Sequence, residues 1–345
     1  MIRRRFLAAM AFATALGLGT VAQADTVPTS AVTARVGVIP VMGTAPIFIA
    51  DQEGWAKKSG LDLKFQIFES GPNMIQALAS GTIDFYVGGV APLAVARSRG
   101  VDVKVIAATA TGENVFVATP KLAAYFKPGV KAAEAFKAFH AATGKPARLA
   151  TQPLGSVPNT TLQYWLWEVA KVDKADATVV EMGIDATQQA VLAGAVEGAT
   201  IREPTVTIVT KRNPGIKLEA SGDELFPGQP GTVVAVNGAF LAKHRDAVQG
   251  LVGDLIRAAA LATKEPQTVA PFIQVALGKG IVDNATIVTA LRSPATKWLI
   301  DPNKIIGPAK LMQSYQVKLG ALKKEVSFNG LFDTSLYDKA NVAAK

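Results

Sequence analysis

Gln76-Ala77-Leu78-Ala79-Ser80-Gly81-Thr82-Ile83-Asp84 returns 113 positions later as Gln189-Ala190-Val191-Leu192-Ala193-Gly194-Ala195-Val196-Glu197. In both stretches small and apolar residues run into a glycine, then an aliphatic residue and an acid follow. A helix that stops at glycine and turns into a strand accounts for that order. The same offset joins Ala34-Arg35-Val36 to Ala147-Arg148-Leu149 and Pro40 to Pro153. It also joins Val103-Lys104-Val105 and Ala107 to Ile216-Lys217-Leu218 and Ala220. No gap is needed, so helix stops fall on helix stops and strands on strands.

Around this repeat, residues 36–39, 63–68, 83–87 and 103–107 read as strands, rich in β-branched and aromatic side chains. Between them lie helices over 46–58 (broken near Gly54), 74–80 after Ser70-Gly71-Pro72-Asn73, and about 92–99. Strands alternating with helices predict an α/β protein with largely parallel sheets, and the repeat predicts two lobes of common topology. Residues 115–119 form a strand that crosses between lobes, and 131–142 a helix of the second lobe; 232–236 carry the chain back. The expected division is therefore 25–114 with 232–345 as lobe I and 115–231 as lobe II, joined by two hinge strands that permit closure. Helices over 245–263, 267–277, 284–291 and 308–324 are expected to pack against lobe I.

The N-terminus sets the compartment. Arg3, Arg4 and Arg5 precede an apolar run from 6 to 21, and Ala22-Gln23-Ala24 offers a cleavage site, so residues 1–24 read as a signal peptide cut after about Ala24. Arg4-Arg5-Phe6-Leu7 resembles a twin-arginine signal, which leaves both that route and the general secretory route open. The expected destination is the periplasm. No later stretch is long and apolar enough to span a bilayer.

The composition removes several function classes. The 345 residues include no cysteine and only two histidines, so disulfides, thiolate nucleophiles and cysteine-based metal sites are excluded. The formal charge of +9 is spread thinly, with no Lys/Arg tract of the kind that grips nucleic acid, and would favour small anions. No nucleophile elbow, phosphate-binding loop with Lys or dinucleotide fingerprint occurs. His140 and His244 lie outside the loops that matter below. Catalysis, a cofactor and a metal are not expected.

In open parallel sheets a ligand sits beyond the carboxyl ends of the strands, where loops lead into helix N-termini. Those loops carry Met42, Gly43, Thr44 and Ala45; Ser70, Gly71 and Asn73; and Gly88 and Gly89 from the first lobe. The second lobe supplies Gly155, Ser156 and Asn159; Asp185; and Arg202 and Glu203. Glycine lets the backbone approach a guest, and free N–H groups at helix starts favour an oxyanion. Each polar residue also has a simpler reading as a helix cap. Arg202, aligned with Gly89 by the repeat, either holds a sulfonate, carboxylate or nitrate through paired hydrogen bonds or forms an ion pair with Glu203 or another acid.

The runs Val36-Gly37-Val38, Ala45-Pro46, Ala50, Glu53-Gly54-Trp55 and Gly60-Leu61-Asp62 resemble the opening of extracytoplasmic solute-binding proteins of the nitrate/sulfonate/taurine type. So do residues 76–84 with Gly88 and Ala91-Pro92. Arg202-Glu203-Pro204 is similar to a loop where that family commonly has an aromatic residue before Glu-Pro. The likeness runs over roughly 34–240. It implies a type II periplasmic-binding fold that delivers a captured solute to a membrane ABC permease, with ligand loops at Thr44-Ala45, Ser70-Gly71, Gly88-Gly89, Gly155-Ser156 and Arg202-Glu203. The arginine in place of the aromatic points either to a more strongly anionic ligand or to an Arg–acid pair that shapes the pocket. The expectation is a monomeric receptor for a small anion. The alternatives are a lyase or transferase using the same cleft, and a sensor partner that presents ligand to a signalling receptor.

Overall fold

Arg35 and Asp84, Arg148 and Glu197 are the pairs the repeat brings into register, and each is joined in the same way. In a computed structural model describing residues 30–277 and 282–343, the Arg35 backbone N–H and Nε both donate to Asp84 Oδ2 at 2.9 Å. Arg148 repeats this toward Glu197 Oε2 at 2.9 and 3.2 Å. The proposed signal over 1–24 lies outside the described residues.

The strands are β1 (Val32–Val38), β2 (Leu61–Ile67), β3 (Phe85–Gly89), β4 (Val103–Ala108), β5 (Ala110–Thr111), β6 (Val115–Ala118), β7 (Ala147–Thr151), β8 (Ala177–Glu181), β9 (Gly198–Ile201), β10 (Lys217–Ala220), β11 (Thr232–Asn237) and β12 (Lys297–Trp298). The first sheet runs β2-β1-β3-β11-β4 and the second β8-β7-β9-β6-β10. β1 is parallel to β2 and β3, as β7 is to β8 and β9. β11 lies antiparallel between β3 and β4, and β6 antiparallel between β9 and β10. The reversed strand in each sheet is thus the one on which the chain enters from the other sheet.

The sequence offset persists in the geometry. Val36 faces Phe85 in the first sheet and Leu149 faces Gly198 in the second, and the helices Gly71–Ala79 and Ile184–Leu192 begin and end at matching positions. Parallel neighbours need a crossover, which these helices provide. With helices on both faces, β3 (Phe85-Tyr86-Val87-Gly88-Gly89) is buried throughout. The expected helix over 46–58 is indeed broken, into Ala45–Gln52 and Trp55–Lys58, by Gly54 at φ 68°. The helix expected at 74–80 starts earlier, at Gly71, because the Ser70 hydroxyl accepts the Asn73 N–H at 3.4 Å.

The C-terminal helices depart from expectation. Arg245–Lys264 does lie along Ala45–Gln52. Pro266–Leu277 packs on Ala45–Gln52 as well, as expected, whereas Asn284–Leu291 packs both on Pro266–Leu277 and on Thr205–Arg212, the helix after β9. Ile306–Lys318 also serves both halves. It buries Ala309 and Met312 in the cluster of the first sheet, while the Tyr315 hydroxyl donates to Gln163 O at 3.0 Å. Its Gln316 Nε2 lies within reach of both Ala91 O (3.3 Å) and Gly155 O (3.1 Å). A helix whose buried positions mix apolar and amide side chains can face two surfaces, so packing against lobe I alone was too simple.

Candidate functional site

The carboxyl ends of the two sheets face each other and touch. The Met42 N–H donates to Glu203 O at 2.8 Å, joining the loop after β1 to the loop after β9. Ile184 N–H reaches Glu69 O at 3.3 Å, and Asp185 N–H reaches Glu69 Oε2 at 3.2 Å, so a carboxylate of the first half sits on a helix start of the second. Gly89 packs so close to the second half that a Cβ there would come within 2.8 Å of Val157. A single apolar cluster includes Tyr86 and Val90 from one half and Val157, Ile184 and Phe226 from the other.

Several expected ligand groups are occupied internally. Thr44 donates to Val41 O at 2.6 Å, and Ser156 accepts the Asn159 N–H at 3.2 Å, as Ser70 does that of Asn73. Asn159 turns its amide to Gln152 O and accepts from Gln163 Nε2. Glu203 Oε2 accepts the Thr207 N–H at 3.0 Å, and burial raises its pKa above the ordinary carboxylate value. Met42, Gly43, Ala45, Gly71, Gly88, Gly89 and Gly155 are buried along the seam, whereas the side chains of Asn73 and Asp185 are exposed at its rim. Tyr86, fully buried, passes beneath Gly71 and Gly88 and donates to Gly89 O at 2.7 Å; burial pushes its phenol well up.

Arg202 is 4% exposed and its partner is Glu113, itself 1% exposed, with Nη1 to Oε1 at 3.3 Å. Arg202 Nε donates to Asn114 Oδ1 at 2.7 Å, and the Thr232 hydroxyl donates to Glu113 Oε1 at 2.5 Å. Burial lowers the guanidinium pKa, and the Glu113 charge opposes that. The acid that pairs with Arg202 is Glu113 rather than Glu203. Gln229, which sequence reasoning missed, completes the arrangement. Its Oε1 accepts from the Asn114 N–H at 2.8 Å, and its Nε2 donates to Asn114 O at 3.1 Å and Gly222 O at 3.0 Å. Both chain crossings are thereby tied to each other and to Arg202. The available signal was position: Glu113-Asn114 and Gln229 shortly precede β6 and β11.

At the seam lies a cavity of about 10 Å³, bounded by Val41 on one side and by Gln152, Thr187, Thr200, Arg202 and Thr205 on the other. That is room for about one water molecule. A groove of about 220 Å³ opens along the seam between Pro72, Pro92, Arg99, Leu154 and Gly155. A larger hollow of about 790 Å³ lies elsewhere, beside Arg148 and Glu197 and floored by Tyr125 and Phe139. Among the described residues no group of three His, Asp or Glu side chains is arranged to hold a metal, and no helix is long and apolar enough to cross a membrane.

Two parallel-rich sheets flanked by helices, each with one reversed strand at a chain crossing and meeting at their carboxyl ends, define the fold of extracytoplasmic solute-binding proteins. The nitrate-binding protein NrtA of Synechocystis PCC 6803 superposes with a TM-score of 0.74 over 91% of this chain and 89% of its own, at 15% identity. The alkanesulfonate-binding protein SsuA of Xanthomonas axonopodis pv. citri, bound to MOPS, gives 0.69 over 88% and 99%, at 17% identity. The chain belongs to the NMT1-like family, whose model matches residues 27–277. Its relatives include a Brucella abortus protein named as a binding protein, 28% identical over 271 residues that cover 77% of this chain and 76% of that one. A Bacillus subtilis protein named for binding aliphatic sulfonates is 22% identical over 62% of this chain and 60% of its own. A ligand-binding component of an ABC-type import system from Staphylococcus aureus superposes with a TM-score of 0.70 over 89% of this chain and 98% of its own, at 17% identity.

Proposed function

We propose that this protein is a periplasmic receptor that closes over a small polar solute at the seam between its sheets and hands it to an ABC permease. In this reading residues 25–114 with 232–345, and 115–231, move as two lobes about the crossings at β6 and β11. Export removes residues 1–24, and the mature monomer docks transiently on its permease. The observation that carries the reading is the set of cross-sheet contacts, Met42 to Glu203, Glu69 to Asp185 and Gly89 against Val157, made by loops where a guest would be enclosed. Closure that adds such contacts around a guest shifts the population toward the closed form whenever that form binds the guest better.

Sulfonates and nitrate are the first solutes to test, given the names of the relatives, and taurine joins them as an aminosulfonate that the sequence resemblance implies. Protein purified natively is analysed by mass spectrometry for a co-purifying small molecule. That molecule is then returned to solute-free protein while the thermal midpoint is followed. A stoichiometric solute that raises the midpoint reversibly supports the receptor. Its chemical conversion on the protein would instead favour a lyase or transferase.

A further inference from the structure

The charge at the seam is already balanced before any guest arrives. Arg202 is the one charged residue among those bounding the 10 Å³ cavity, whose other walls are Val41, Gln152, Ile184, Thr187, Thr200, Ile201 and Thr205. Its guanidinium has a full counter-charge behind it in Glu113, at 3.3 Å and equally buried. The other carboxyls along the seam, buried Glu203 and the Glu69–Asp185 contact at its rim, add no positive charge. An anion brought from water into such a place loses its hydration without a free cation to replace it, which is costly.

The pair is not saturated by hydrogen bonds. Among the described residues Arg202 Nη1, despite its proximity to Glu113, makes no well-formed hydrogen bond, and Glu113 Oε2 has no partner either. Buried polar atoms are nearly always satisfied, so an unpartnered donor on a cavity-lining residue calls for an acceptor from outside, and one larger than a water requires the two halves to stand further apart around it. The threonine hydroxyls and the Gln152 amide around it can donate and accept without adding charge.

From this balance we infer that the guest carries no net charge: it is an uncharged or zwitterionic small molecule that offers an acceptor to Arg202, with Glu113 excluding simple anions. The inference rests on the receptor reading and narrows its solute class. Glu113 acts as a specificity-determining residue through the arginine it neutralises.

The test uses nitrate, sulfate and ethanesulfonate as probes on the solute-free wild type and on Glu113→Gln, followed by thermal shift and calorimetric titration. The wild type is expected to show no saturable response. Glu113→Gln, with its guanidinium uncompensated, is expected to bind at least one of them at least about tenfold more tightly. The double variant Glu113→Gln/Arg202→Gln should lose that gain. Saturable binding of any of these anions to the wild type overturns the inference and leaves the receptor reading intact. A folded Glu113→Gln that gains nothing overturns it as well. Should that variant fail to fold, the wild-type titrations and the charge of the co-purified solute decide: a net-neutral solute sustains the inference, a net anion ends it. Conversion of the solute on the protein would count against the receptor reading alone.

Discussion

The outer ends of the two sheets and their facing ends treat the repeat in opposite ways. At the outer ends Arg35–Asp84 and Arg148–Glu197 are near copies, each an arginine held by its own backbone N–H and side chain to one carboxylate. At the facing ends the equivalent positions are Gly89 and Arg202, and the second presses into the space the first leaves open. Gly89 has no side chain, so the first half of the repeat offers no counterpart to the Arg202–Glu113 ion pair. Symmetry is kept where a pair merely pins the start of two strands and lost where the halves must fit each other. Binding sites require that kind of asymmetry, since one guest cannot satisfy two identical surfaces in the same way.

The comparison can be broken most forcefully at the buried pair. Arg202→Met leaves Glu113 unpaired away from water and should cost about 3–5 kcal/mol in denaturant unfolding. A loss below about 1 kcal/mol would show that the pair is solvated and that the contrast with the outer pairs is false. Gly89→Val forces a side chain against Val157, whose nearest methyl lies only 2.8 Å from where the new Cβ must stand, and should cost about 1–3 kcal/mol of the closed form through overpacking. Small-angle scattering should then show a more open molecule, and solute affinity should fall accordingly.

A gentler probe is pH. Burial raises the Glu203 pKa in the folded protein above its ordinary 4.5, so the folded state takes up a proton more readily than the unfolded chain. The stability gained from that proton is fully present below 4.5 and is lost as pH rises through the folded value. Glu203→Gln should therefore flatten the part of the stability–pH curve just above 4.5, as urea titrations at a series of pH values would reveal. The smallest effect belongs to the outer pairs. Arg35→Ala and Arg148→Ala remove half-exposed guanidinium groups from buried carboxylates that keep the backbone N–H bond at the same position, and should each cost about 1 kcal/mol, with matching values if the two ends are truly alike.

Much of the fold was legible because it is local and periodic. The glycine stops, the aliphatic–acid pair after them and the arginines of β1 and β7 sit at fixed spacing, and the structure keeps that spacing in its registers. The site was legible only in outline. The loops after the strands do meet, yet Ser70, Ser156 and Thr44 spend their hydroxyls on nearby backbone, since a cap within three residues is always closer than a guest. The partner of Arg202 lay 89 positions back in the chain, beyond any periodicity. The seating of Ile306–Lys318 against both halves could not be read either, because Tyr315 and Gln316 reach their carbonyl partners through tertiary placement and not through a repeating pattern.

The late return of β11 to the first sheet has a practical corollary. Cutting the chain after residue 114 would leave β3 and β4 with an empty lane between them, their backbone N–H and C=O groups unmatched, because the strand that fills the lane is made more than a hundred residues later. The second sheet, by contrast, is drawn from the one continuous stretch between Val115 and Ala220, so the first sheet is begun earlier on the ribosome and becomes whole later.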